Sequence, residues 1–529
     1  MDGVPLLVGI AGHRALEPAD EPALRDSVRA LLDEIVESAA HTRVVVLSTL
    51  APGAGLLGAE VALDAGLCVI ACLAAPQESY ERDFTEPDLS RLRAALRRMA
   101  HVVVVEHDGS DAAARSATGW YLAFHSHILV ALWDGGAARE PGGTGDVILL
   151  RETGLSSTWW ASDPAMQQDP DPMPVYHVVA VRPGEPRPSD PVGTVQKTYP
   201  RRFSGDRKAQ KSFEASIKRF DRYNDDLAAH PRQADDPAGL PGLMARTDRA
   251  ANQLQRRSIL QLRVLYAIAF LAIMAQLGFA DQFRPEPLKI ATLAAAFIAY
   301  RIARSADLEN RYQDYRAFAE GLRVQIAWNA LGGRIEYVDR YYLRMQHSEL
   351  QWIRLALRSA AFVDSLAPQA ADERVALNWV RQQWRYYHRA ANRDDGSAQG
   401  IKRIGKTSQI VGTVTMCFAT LLLLPYLHGL PQWLTLAAKH WATQITALVA
   451  AAAALFGSYS DKRGFSANAK RYDRMFGVFD RALRQLYRVE FGAAGDRRRI
   501  FHAVGHEALV EQADWLLARR DRPLRAVGR

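Results

Sequence analysis

The run WATQITALVAAAAALFGSY, residues 441–459, holds 19 residues without a charge, and Ile410–Leu427 holds 18 more. A bilayer core is matched by about 20 apolar residues, with a range of about 17–25. Two shorter runs come earlier in the chain. Val264–Phe279 is interrupted only by Gln276, and Ile290–Tyr300 has Lys289 at its mouth. The pattern predicts four transmembrane helices in two hairpins; for the shorter first pair a buried soluble hairpin stays open. Between Arg301 and Lys406 lie 18 Lys and Arg residues, whereas the short turns 280–287 and 428–440 carry only Arg284 and Lys439. Lys/Arg excess marks the cytoplasmic side, so both termini are expected there, at a bacterial inner membrane.

That orientation also accounts for the formal net charge of +8, because basic segments beside a span meet anionic headgroups. No nucleic-acid-binding motif accompanies the charge, and no nucleic-acid partner is expected. Three cysteines, Cys68, Cys72 and Cys417, fit neither a disulfide framework nor a zinc spacing. The chain opens on a strand-like run without the pattern of a signal peptide.

The first 182 residues read differently. Apolar runs at Leu6–Ile10, Arg43–Ser48, Val69–Leu73, Val102–Val105 and Ile128–Trp133 alternate with helical patterns. Strands that are apolar throughout, separated by helices, predict a doubly wound parallel sheet covered on both faces. Ligands of such sheets lie beyond the carboxyl ends of the strands. There the sequence places GIAGHR (9–14), STLAPGAGLLGAE (48–60), a segment with Gln77, Tyr80 and Asp83, and WDGG with GGTG (133–136 and 142–145). Glycine lets backbone approach a ligand, and N–H groups at a following helix start attract anions.

GIAGHR, LSTLAPGAGLLGAEVALDAG, YERDF, HILVALWDG and GGTGDV, in that order, resemble the SLOG superfamily. It joins the DNA-processing protein A fold, the LOG cytokinin-activating enzymes and sensor domains of bacterial defence systems. The resemblance covers residues 4–182 and implies a Rossmann-like sheet that binds a nucleotide or ADP-ribose-derived signal, with no separate cofactor. Carried over by motif, the ligand-binding residues are Gly12, His13, Arg14, Ser48, Gly53, Gly55, Glu60, Tyr80, Asp134, Gly135, Gly142, Gly143 and Thr144. Arg14 and the Gly142–Gly145 backbone with Thr144 would hold phosphate; Glu60 and Asp134 would accept from ribose or base. Loop packing for His13 and a turn role for Asp134 stand beside these readings. The enzymes' PGGxGTxxE pattern is broken here, since Leu149 occupies the position of the glutamate that serves the chemistry. Leucine moves no proton, which implies binding without hydrolysis. The alternative is a membrane-tethered nucleotide N-glycosidase with Glu60 or Asp134 as substitute.

Residues 183–210 are rich in Pro, Gly and Arg without periodicity and are expected as a linker. Beyond them, each apolar pair is followed by an amphipathic stretch, RYQDYRAFAEGLRVQIAW (311–328) and KRYDRMFGVFDRALRQLY (470–487). With NWVRQQWRYYHRAANR (378–393) and GHEALVEQADWLLARRDRP (505–523), the pattern resembles the SLATT domain, a two-span effector module. Two such modules are expected, over 211–400 and 401–529. The resemblance implies a homo-oligomeric pore in lipid, opened by the signal in antiphage abortive infection. Thr413, Thr415, Thr420, Thr443 and Thr446 would line it, or would bond their own helix backbone.

Overall fold

The computed structural model describes residues 3–107, 109, 111–137, 142–154, 173–200, 206–277, 286–333, 336–343, 350–368, 370–421, 432–489 and 494–520. The chain divides into two compact units, residues 1–248 with 317–371, and residues 249–316 with 372–529.

The first unit is built on a seven-stranded sheet of order β4-β3-β2-β1-β5-β6-β7. Its strands are β1 (Leu6–Gly12), β2 (Val44–Ser48), β3 (Cys68–Leu73), β4 (His101–Val104), β5 (Ile128–Trp133), β6 (Val175–Val179) and β7 (Val195–Thr198). All neighbours pair parallel except β6 and β7. The five expected strands are present. Residues 183–210, expected as linker, instead carry β7: Tyr176 faces Lys197 across the antiparallel pair. A four-residue strand that is exposed throughout leaves no apolar periodicity to read, so pairing alone reveals it.

Helices α1 (Glu21–Ser38), α2 (Ala54–Asp64), α3 (Gln77–Tyr80), α4 (Asp88–Leu96), α5 (Asp111–His125) and α6 (Thr144–Thr153) connect the strands. Apolar residues at helical spacing bury one side of α1, at Leu24, Val28, Leu31, Leu32 and Ile35. Further helices belonging wholly to this unit are α7 (Asp206–Ala228) and α11 (Gln351–Ser365). Asn224 of α7 accepts from Val4 N–H at 3.0 Å and donates to Val4 C=O at 3.0 Å. Phe362 of α11 joins the core formed by Leu7, Leu47, Ile70, Leu129 and Ala131. This unit therefore reaches well beyond residue 182, because distant helices supply the apolar cover that a parallel sheet requires.

Helix α8 (Gly239–Leu277) and helix α10 (Leu308–Asn329) carry the chain from one unit to the other. The second unit also contains α9 (Glu286–Ser305), α12 (Glu373–Leu421), α13 (Gln432–Arg463), α14 (Phe465–Arg488) and α15 (Ala494–Arg520). Trp379 and Tyr387 of α12 pack on Phe479 of α14, with centroids 5.7 and 5.5 Å apart. Arg471 of α14 donates to Glu511 of α15 at 2.7 Å.

Two helical stretches among the described residues, not four, are long and apolar enough to cross a membrane: Gly239–Gln276 and His440–Arg488. The run 290–300 is too short by itself, and its helix adds Arg301 and Arg304. Residues 422–427 of the third expected span lie outside the described residues, as do 280–285 and 428–431 of the turns. The two qualifying windows are 6% and 11% buried, so neither is the core helix of this unit. Leu271, Phe297, Val414 and Trp441 are each more than half exposed. The threonines take the helix-internal role: Thr413, Thr415, Thr420 and Thr446 donate to carbonyls of their own helices at 2.8–2.9 Å. Thr446 Oγ1 also lies 2.8 Å from Thr415 Oγ1, a contact between α13 and α12.

Candidate functional site

The strand order turns at β1, whose neighbours β2 and β5 lead away in opposite directions. Crevices form at such a switch point, beyond the strand ends. A cavity of about 620 Å³ lies there, within the range of about 300–1,000 Å³ for small-molecule sites. Its lining comes from the ends of β1, β2 and β3, from α5, and from the start of α6.

Gly12 closes β1 where a side chain has no room. A Cβ there would lie 2.5 Å from both Ala54 Cβ and the Leu132 carbonyl. The next residue, His13, is 3% exposed. Its N–H donates to Leu132 C=O at 3.1 Å, and its C=O accepts from Ala54 N–H at 2.9 Å. Arg182 Nε donates to His13 Nδ1 at 3.1 Å. His13 Nε2 in turn accepts from Asp134 N–H at 3.0 Å and lies 3.2 Å from Asp134 Oδ2. Asp134 Oδ1 accepts from Gly136 N–H at 2.9 Å, an Asx turn. His13 and Asp134 thus join the ends of β1 and β5, with Arg182 closing the group.

The opposite wall is anchored by Tyr80, which is 6% exposed and donates to Thr49 C=O at 2.8 Å. Burial holds its phenol well above the ordinary tyrosine range. Arg14 pairs with Asp83 at 3.6 Å, both side chains well exposed; such a pair is worth little and yields readily to a ligand. The floor includes the N-terminus of α6. Gly142 has φ +71°, and a Cβ there would meet the Ser116 backbone at 2.5 Å, which holds this loop against α5. Gly142 N–H donates to the buried Asp146 carboxylate at 2.9 Å. Gly143 is the N-cap of α6 and brings no side chain of its own to cap this helix start. Its first residues, Thr144 and Gly145, line the cavity. The electrostatics favour an anion: Arg14, Arg82, Arg115 and Arg182 line it, with His13 and His107, against Asp83 as the one carboxylate among the described lining residues.

Of the residues named from sequence, Gly12, His13, Arg14, Tyr80, Gly142, Gly143 and Thr144 line this cavity. Ser48, Gly53, Gly55, Glu60, Asp134 and Gly135 do not. Ser48 is buried and brackets a turn, donating to Gly55 C=O at 2.8 Å and accepting from Leu50 N–H at 3.0 Å. Gly53 packs on the backbone of His13 and Arg14. Glu60 points toward α1 and α4, where Arg91 grips it at 2.9 and 2.7 Å and Arg25 adds a further contact. Burial pushes its carboxyl upward, but the hydrogen bonds from Arg91 and Arg25 outweigh this and hold it below the usual range. Leu149 is 40% exposed and away from the lining.

Sequence reading missed Thr49, Arg115, Thr118 and Arg182. Arg115 and Thr118, three apart and so on one helix face, lie on α5. Arg182 follows β6 and had no motif to mark it. No protein-family model matches this chain, and no curated protein does.

Proposed function

We propose that the chain is a ligand-gated membrane effector. A phosphate-bearing, nucleotide-derived signal binds the cavity at the β1/β5 switch point and biases the helical unit toward a membrane-permeabilising, oligomeric state. The observation that carries this reading is the joining, in one chain, of a cavity with four arginines and a helix start at a glycine N-cap to apolar helices whose windows are 6% and 11% buried. Guanidinium groups and helix amides are matched to phosphate. Apolar helical faces left in water are matched to lipid. A ligand shifts such a balance only by its difference in affinity between the two states. The resemblances to the SLOG and SLATT modules support the same reading, which we extend to antiphage defence at the inner membrane.

The enzymatic alternative has less support, because neither Glu60 nor Asp134, its two candidate carboxylates, lines the cavity. The test is leakage of dye-loaded liposomes carrying the full chain, on addition of a panel of cyclic and linear nucleotides and ADP-ribose. Ligand-dependent leakage that is lost in Arg182→Ala supports the proposal. Release of free base without leakage would favour the glycosidase, and binding of no member of the panel would overturn both.

A further inference from the structure

The one carboxylate among the described residues that line the cavity, Asp83, faces an arginine. It closes the short helical turn Glu81–Asp83 that follows α3. The backbone of that turn is held on both sides. Tyr80 and Phe84 are each 6% exposed and pack with ring centroids 5.5 Å apart, and Arg93 lies 2.6 Å from Glu81. The Asp83 side chain itself is 60% exposed, so it can swing aside without moving the wall that carries it. Arg14 Nη2 lies 3.6 Å from Asp83 Oδ2, which is a charge contact and not a hydrogen bond. The two charges act with opposite sign on the Tyr80 phenol, so the pair stands beside that ring.

We propose that Asp83 is a resident competitor at the Arg14 end of the cavity: its carboxylate holds the place that a phosphate of the ligand takes, and so sets the concentration at which the site fills. The inference rests on the phosphate-binding reading of this cavity and adds a regulation to it. A guanidinium fork matches carboxylate and phosphate alike, and a single contact at 3.6 Å leaves the hydrogen-bonding geometry to the incoming group. Asp83 brings one negative charge, whereas a terminal phosphate brings close to two, so the exchange favours phosphate. A monoanion from the medium gains no more at Arg14 than Asp83 already supplies. An exposed ion pair corresponds to at most about fivefold in an equilibrium constant. That is enough to set a threshold and too little to close the site.

The test is calorimetric titration of the full chain in detergent with pyrophosphate at low salt, with the ligand-free melting temperature as the check that each variant folds. Asparagine keeps the shape of Asp83 and removes its charge. Asp83→Asn is expected to bind pyrophosphate about fivefold more tightly than the unaltered chain, and Arg14→Ala more weakly. Asp83→Asn added to Arg14→Ala should gain less than about twofold, because the two residues act as one pair. Equal or weaker binding in Asp83→Asn, as a carboxylate that holds ligand hydroxyls would give, overturns the competitor role. A gain of the same size with and without Arg14 overturns it too, since Asp83 would then be a diffuse repulsive charge. Pyrophosphate bound by none of the four proteins would overturn the anion site and this role together. The expected pattern with no leakage on any nucleotide would remove the effector reading alone.

Discussion

Individual side chains show how tightly the cavity is framed. At Gly142 the backbone adopts φ +71° against the Ser116 backbone, so Gly142→Ala combines left-handed strain with a collision against atoms that cannot turn away. A loss of about 1–3 kcal/mol is expected, read as a lower melting temperature, together with weaker ligand binding. Glu60 gives the opposite signature. Its carboxylate accepts from two arginines, and removing the charge leaves half-buried guanidinium groups short of an acceptor. Glu60→Gln should cost about 1–3 kcal/mol of stability while nucleotide affinity stays within twofold. A tenfold or larger loss of affinity at unchanged stability would return Glu60 to the ligand. Seven of the thirteen residues named from sequence line the cavity. Five of them, Gly12, His13, Gly142, Gly143 and Thr144, are a glycine or its neighbour at a strand end or helix start. Ser48 and Glu60 carry the right chemistry, but which way a side chain turns is decided by partners far along the chain.

At the scale of elements, the contacts of α11 explain why this unit extends to residue 371. His127, just before β5, accepts from Leu7 N–H at Nδ1 (3.1 Å) and faces Leu355 C=O of α11 through Nε2 at 3.1 Å. Arg358 of α11 lies 2.7 Å from Asp339 and donates to Phe124 C=O near the end of α5, while Arg151 donates to Ala123 and His127 carbonyls. Cations at a helix C-terminus are favourable. Burial, reinforced by the Arg358 charge, lowers the His127 pKa to about 3. The unfolded chain takes up this proton near pH 6.5 and the folded chain only near pH 3. Stability from the neutral ring is therefore complete above about pH 6.5 and declines as pH falls toward 3. Melting temperature should drop across that window, with a shallower slope in His127→Gln, which keeps a donor and an acceptor. An unchanged slope would show that His127 is not the titrating group. Arg358→Met should cost about 3–5 kcal/mol, because it leaves the Asp339 carboxylate buried without its cation.

For the whole molecule, the apolar helical surface sets the solvent the protein requires. Leu260, Leu271, Trp441 and Phe456 are 51–64% exposed. Extraction from membranes should need detergent rather than high salt or alkali, and flotation with liposomes should persist at 1 M salt, where surface electrostatics are screened to about 3 Å. Release into the aqueous fraction by salt alone would confine membrane binding to basic residues.

The sequence alone determined the parallel sheet, the loops at the carboxyl ends of its strands and the presence of long apolar helices. These follow from short-range rules: apolar runs bounded by glycine, helical periodicity, and stretches without charge. Only the tertiary structure decided that β7 extends the sheet through the expected linker and that α7 and α11 complete its cover. It also turned Glu60 away from the cavity and brought Arg182 to its rim. Each of those outcomes depends on pairing between residues far apart in the chain, and such pairing leaves no periodic trace in the local order of amino acids.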